Sequence, residues 1–155
     1  MPPKRSAGIV LYRSRDDVVQ VLLGHLGGPL WARKDEHAWS IPKGEYDDDE
    51  TPFAAAQREF AEELGASPPS EGYLELGEIT QANRKRVTAW AAAGDFDPAG
   101  LVSNTFELEW PPRSGRRQQF PETDRAEWFD VDTARTKAIR GQAELFDRLL
   151  ARLAE

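Results

Sequence analysis

Between Gly44 and Ala66 the chain reads GEYDDDETPFAAAQREFAEELGA, and within it Glu59, Glu62 and Glu63 recur at helical spacing. Carboxylates are acceptor-only oxygen donors, and grouped this way they do one of two things. They face water as a solvated helix surface, or they hold a hard divalent cation such as magnesium, manganese or calcium. Thr51 followed by Pro52 has the form of an N-cap with proline at the first helical position, and Gly65 stands where helices end in a left-handed turn. The spacing therefore predicts a helix over Pro52–Leu64. At roughly 100° per residue, Phe53, Ala56, Phe60 and Leu64 form an apolar stripe, and the three glutamates occupy an adjacent arc of roughly 100°. That arc opposes the helix. Glu59 and Glu63 are like charges at i,i+4 near the negative end of the macrodipole, and each effect costs on the order of 0.3–1 kcal/mol. Arg58 paired with Glu62 at i,i+4 would ease the repulsion, and a bound cation would cancel it. Helix geometry alone leaves both readings open.

The elements that must position these acids are legible in outline. After a short basic tail, SAGIVLYR and VVQVLLGHL are β-rich runs separated by SRDD, the pattern of an antiparallel hairpin. HAWSIPKGE leads into the acidic helix, and ASPPSEG leaves it through turn residues. YLELGEITQ and RVTAWAAAG are further strand candidates, the second regular as far as Trp90, and TFELEW and AEWFDV follow. Between these last two, PPRSGRRQQFPETD reads as a proline- and arginine-rich loop, a kind of connection that tends to carry function. DTARTKAIRG and QAELFDRLLARLA close the chain as helices, with Leu145, Phe146, Leu149, Leu150 and Leu153 on one face of the second. Hairpins interleaved with helices point to an α+β fold, a mixed sheet sandwiched by helices in one domain spanning 1–155.

Composition narrows the function classes. The 155 residues include no cysteine, which excludes disulfides, thiolate nucleophiles and cysteine-ligated metal centres. The first residues lack the apolar core of a secretory signal, and no apolar run approaches a membrane span of roughly 18 residues. These features lead us to expect a soluble cytoplasmic protein. The net charge of −7 argues against broad attachment to nucleic acid or anionic membrane. It is compatible with a phosphorylated small-molecule substrate, because bound divalent cations reverse the local sign.

Read with its spacing, the acidic segment is Gly44, five residues, Glu50, seven residues, then REFAEELGA. This resembles the Nudix box, G-x5-E-x7-R-E-U-x-E-E-x-G-U, in which U is a bulky aliphatic residue. Gly44, Glu50, Arg58, Glu59, Glu62, Glu63 and Gly65 match, while the two U positions hold Phe60 and Ala66, both apolar. The order of strands and helices resembles the Nudix fold over nearly the whole chain. The resemblance implies an α/β/α sandwich around a mixed sheet, magnesium or manganese as cofactor, and hydrolysis of a nucleoside diphosphate linked to another group, X.

Carried over residue by residue, the resemblance makes Glu59, Glu62 and Glu63 metal ligands, with Gly44 contributing its carbonyl. Arg58 would orient the carboxylates, and Glu50 would ligate through water or brace the loop. Glycine at 44 permits positive φ or close approach to the main chain. Glu122, six residues before Trp128, resembles the later carboxylate of dinucleoside polyphosphate hydrolases, as distal ligand or general base; Glu127 is a second candidate. IPKGE resembles the branch acting on dinucleoside polyphosphates and diphosphoinositol polyphosphates. Lys43, the basic residues Arg84, Lys85 and Arg86, and Arg113, Arg116 and Arg117 are candidates for neutralising a long phosphate chain, with solvated loop charges as the alternative. Trp90 and Trp110 are candidates for stacking on a base. The expected function is pyrophosphate hydrolysis in nucleotides with extended phosphate chains. A nucleoside triphosphate pyrophosphohydrolase and a non-catalytic nucleotide sensor are the alternatives, in a monomer or homodimer.

Overall fold

In the computed structural model, which describes residues 4–155, the first two runs form the expected hairpin. Strand β1 (Arg5–Arg15) pairs antiparallel with β2 (Val18–Leu26) from Tyr12↔Val21 to Arg15↔Val18. Its two-residue turn is Asp16-Asp17, at φ 52° and 66°, the left-handed pair that matches strand twist and that aspartate tolerates. Ser14 and Arg15, read from sequence as part of the connection, belong to the strand.

Beyond Tyr12 and Val21 the two strands part, and the fork between them is filled by the segment entering the acidic helix. On that side β1 takes β4 (Lys43–Glu45) as antiparallel partner through Ser6↔Glu45 to Gly8↔Lys43. Strand β2 takes β3 (Trp39–Ser40) through Gly24↔Ser40. The Ile9 N–H donates to the Pro42 carbonyl at 3.1 Å across the gap. On its other edge β1 runs parallel to β6 (Arg86–Ala93), which pairs with β5 (Leu74–Thr80). The outer edge of β2 carries β9 (Thr123–Asp130), antiparallel. The mixed sheet matches the expectation.

Strand alternation divides its apolar residues between two layers. Ala7, Ile9, Leu11 and Leu22 pack with Ala55, Ala56, Phe60 and Leu64 of α1 (Pro52–Leu64). Val10, Val21, Leu23, Val87, Ala89 and Ala91 face the opposite way, against α2 (Val131–Lys137) and α3 (Ala143–Leu153). The result is an α/β/α sandwich.

Three local expectations are corrected. Strand β6 continues past Trp90 to Ala93; both faces of that strand are covered, so small alanines fit without polar alternation. In α3, Leu145, Phe146 and Leu149 are buried, whereas Leu150 and Leu153 stay 36% and 38% exposed, so the packed stripe is narrower than the leucine pattern. The arginine-rich loop contains a strand: β8 (Arg117–Pro121) pairs with β7 (Thr105–Glu109) as a separate two-stranded ribbon. A ladder of backbone hydrogen bonds accepts polar side chains, so RQQFP pairs without an apolar signature. Among the described residues no helix is long and apolar enough to cross a membrane.

Candidate active site

Local chemistry sets the bounds of α1. The Thr51 hydroxyl accepts from the Ala54 N–H at 3.2 Å, and Gly65, at φ 74°, donates to the Ala61 carbonyl at 2.8 Å. With Phe60 and Leu64 committed to the sheet, Glu59, Glu62 and Glu63 turn toward the fork. There they line a cleft of about 360 Å³ together with Lys43, Gly44 and Glu122.

Arg58 organises the exposed half of this cluster. Its Nε and Nη2 donate to Glu50 at 2.9 and 2.5 Å, and its Nη1 reaches Glu59 at 2.8 Å and Glu62 at 3.2 Å. The hydrogen bond to Glu50 leads in raising the pKa of the guanidinium further, so it stays cationic, and the same bond holds the Glu50 carboxyl below its ordinary range. Glu50 therefore braces Arg58 and does not line the cleft.

Glu63 lies deeper. Burial pushes its carboxyl up to about 8, Lys43 opposes the shift, and Glu59 and Glu122 add to it. Its Oε2 accepts from the Lys43 N–H at 3.4 Å. Burial also raises Glu59, offset in part by Arg58, and lowers the Lys43 ammonium. Among the described residues no three acidic or imidazole side chains converge tightly enough to cage an ion as they stand. Arg58 draws Glu59 and Glu62 to itself. The donor chemistry nonetheless fits a hard divalent cation: every acidic group is an oxygen donor, and a cation would relieve the desolvated charge at Glu63 and Glu59.

Gly44 fits the same cradle for a reason other than backbone freedom. It sits in β4 paired with Ala7 and is absent from the positive-φ glycines, so the positive-φ explanation is overturned. A Cβ there would lie 2.0 Å from the Glu59 Cδ, so close approach of that carboxylate is what demands glycine. Gly44→Ala is expected to fold normally, because a flexible side-chain end can move aside, while displacing Glu59 and lowering kcat roughly tenfold. Unchanged kcat would show that the position of Glu59 is unimportant.

Glu122 reaches the cleft through a backbone relay. Its N–H donates to the Asn104 carbonyl at 2.9 Å, and the Asn104 N–H donates to the Glu62 carbonyl, also at 2.9 Å. Asn104 lines the cleft as well, as do Ser6, Ser40 and Thr123. Sequence reading missed these four, since nothing in their local pattern distinguishes them from ordinary polar residues. Lys85 stands in the cleft near Lys43, with Nζ 3.9 Å from Glu45 Oε1.

Other candidates lie elsewhere. Arg86 reaches Glu78 on the neighbouring strand β5 at 4.0 Å and does not line the cleft. Arg116 and Arg113 lie in the turn of the β7–β8 ribbon, remote from the cleft, and Arg117 pairs with Glu107 at 3.7 Å. Arg84 is a turn residue at φ 68° and does not line the cleft. Trp90 packs against Phe53 beneath α1, ring centroids 5.0 Å apart, and so serves the core. Trp110 follows β7 at the ribbon's far end, and Glu127 is exposed on β9 opposite Leu23.

A helix bearing clustered glutamates stands at the fork of a helix-sandwiched mixed sheet, the arrangement that the sequence resemblance implied. The family model described as NUDIX domain matches residues 2–149. The chain belongs to the Nudix family and is a pyrophosphohydrolase, of a family that generally uses divalent metals. It is 29% identical over 150 residues to an RNA pyrophosphohydrolase of Aeromonas hydrophila, covering 90% of this chain and 83% of that one. It is 33% identical over 135 residues to an 8-oxo-(d)GTP phosphatase of Mycolicibacterium smegmatis, spanning 77% of this chain but 38% of that protein. Its fold is similar to a C. elegans Ap4A hydrolase in a binary complex, with a TM-score of 0.64 at 23% identity over 97% of this chain and 98% of the other.

Proposed function

We propose that the chain hydrolyses a pyrophosphate linkage in nucleotides with an extended phosphate chain, such as dinucleoside polyphosphates, in the cytoplasm. The observation that carries this reading is the division of charge in the cleft. Glu59, Glu62, Glu63 and Glu122 supply carboxylates, while Lys43, whose charge is disfavoured by burial and further by neighbouring Lys85, lines the same cleft as Lys85. Two neighbouring ammonium groups are relieved by an anion between them, and successive phosphates provide one.

Glu59, Glu62, Glu63 and the Gly44 carbonyl would hold magnesium or manganese. When bound, such a cation polarises phosphoryl oxygens and lowers the pKa of water. The protein's own groups do the rest. Lys43 and Lys85 bind the phosphates and hold the chain in line, and Arg58 keeps Glu59 and Glu62 from splaying into solvent. Glu122, on the ribbon side of the cleft, accepts the proton of the attacking water as a new P–O bond forms and the anhydride P–O bond breaks.

The test is a panel of dinucleoside polyphosphate, nucleoside triphosphate and 5′-triphosphorylated RNA, with magnesium or manganese, labelled water and product analysis. Fastest turnover of the longest phosphate chain is expected. Preference for the RNA would favour a second reading, which the name of the Aeromonas relative supports. Binding without product under either cation would make the chain a sensor. Lys85→Ala is expected to raise KM for the longest chain about tenfold, the weight of one charge-assisted hydrogen bond, and less for a triphosphate. Equal changes for both would remove Lys85 from chain-length recognition.

A further inference from the structure

The cleft recognises phosphate and offers nothing for a base: among the described residues, no aromatic side chain lines it. The β7–β8 ribbon supplies what is missing. Its register pairs Phe106 with Phe120 and Leu108 with Gln118, and the same register extends inward to Asn104 and Glu122 through the 2.9 Å bond between their main chains. Directly opposed residues on antiparallel strands share a face, as do residues two apart on one strand. Asn104 and Glu122 are thus the pair two residues inward from Phe106 and Phe120, about 7 Å along the ribbon.

The two phenylalanine rings are partly exposed, with centroids 6.0 Å apart and planes inclined at 40°. The Phe106 ring has a fixed seat. A Cβ at Gly28 would lie 2.8 Å from the tip of the Phe106 ring, so that ring rests on the main chain of the loop after β2. Beyond the pair, Leu108 is also only partly buried.

We propose that Phe106 and Phe120 are the nucleobase platform of this enzyme, stacking the base of a nucleotide whose phosphates occupy the cleft. A base must leave the charged cleft to find a π surface, and this pair is continuous with the wall that carries Glu122. Both rings accept any base by stacking, so the platform gives affinity for nucleotides over inorganic polyphosphate without selecting among bases. This inference rests on the function proposed above and assigns its base-binding residues.

The test compares a nucleoside triphosphate with the corresponding ribose triphosphate lacking the base, using wild type, Phe106→Leu, Phe120→Leu and Phe106→Tyr. Steady-state kinetics and calorimetric titration in magnesium read the result. The leucine variants are expected to raise KM and Kd for the nucleotide about 5- to 100-fold, leave kcat unchanged, and leave the abasic compound unaffected. Phe106→Tyr, which keeps the ring, is expected to behave as wild type. Unchanged nucleotide affinity in both leucine variants, or an equal loss for the abasic compound, would overturn the platform. If wild type turns over no nucleotide, the hydrolase reading fails, and the calorimetric comparison still decides whether the two rings bind a base.

Discussion

Replacing Glu63 with glutamine is expected to lower turnover by about 10²- to 10³-fold, while making the metal-free protein more stable above pH 8. The two effects have one origin. Burial raises the Glu63 carboxyl to about 8, against an ordinary value of 4.5. A carboxyl that holds its proton more tightly when folded favours folding fully below its unfolded pKa. That contribution is lost as pH rises toward and through about 8, where the folded protein must carry a desolvated charge. Glutamine fills the same space without that charge, so the penalty disappears, along with one oxygen anion for the cation. Thermal melts at pH 9 without divalent metal should place Glu63→Gln several degrees above wild type, and kinetics in magnesium should show the loss of rate. A variant as active as wild type would remove Glu63 from the metal site. One that is both inactive and less stable would show that the side chain serves packing.

The second expectation concerns the unsubstituted protein. If the cation binds the carboxylate form of Glu63, binding must expel the proton that the buried carboxyl retains below about 8. Magnesium affinity should then rise with pH by up to tenfold per unit, or about 10²-fold from pH 6 to pH 8, and level off above. Glu59, raised in the same direction by burial, adds to the slope. Calorimetric titration in two buffers of different ionisation enthalpy counts the released protons. Close to one proton per ion is expected near pH 6.5 for Glu63 alone. A pH-independent affinity with no proton release would mean that the ion binds away from these two glutamates.

What the sequence disclosed follows from how local each determinant is. The bounds of α1 were readable because Thr51, Pro52 and Gly65 act within one helical turn. Which of its neighbours enter the cleft was not. Lys85 and Arg86 are adjacent in the chain, yet one lines the cleft and the other reaches Glu78, a division made by the position of β6 in the sheet. Trp90 looked available for stacking because its flanking alanines hide the fact that both faces of the strand are covered. The ribbon was half legible. The apolar alternation of TFELEW marked β7, whereas β8 gains its identity from pairing across a turn, and its glutamines and proline gave no periodic signal. With β8 unseen, Phe120 had no partner, and the aromatic pair could not be inferred.

Asn104 donates its main-chain N–H to the Glu62 carbonyl and accepts from the Glu122 N–H on its own carbonyl. A single residue's main chain thus joins a helix to a ribbon across long intervals of chain. During refolding, the acidic helix can pack on β1 and β2 early, but Glu122 cannot join it until that distant loop closes. Recovery of activity should consequently lag behind recovery of helical signal, and a nascent chain halted before residue 104 would carry an assembled helix without a complete catalytic constellation.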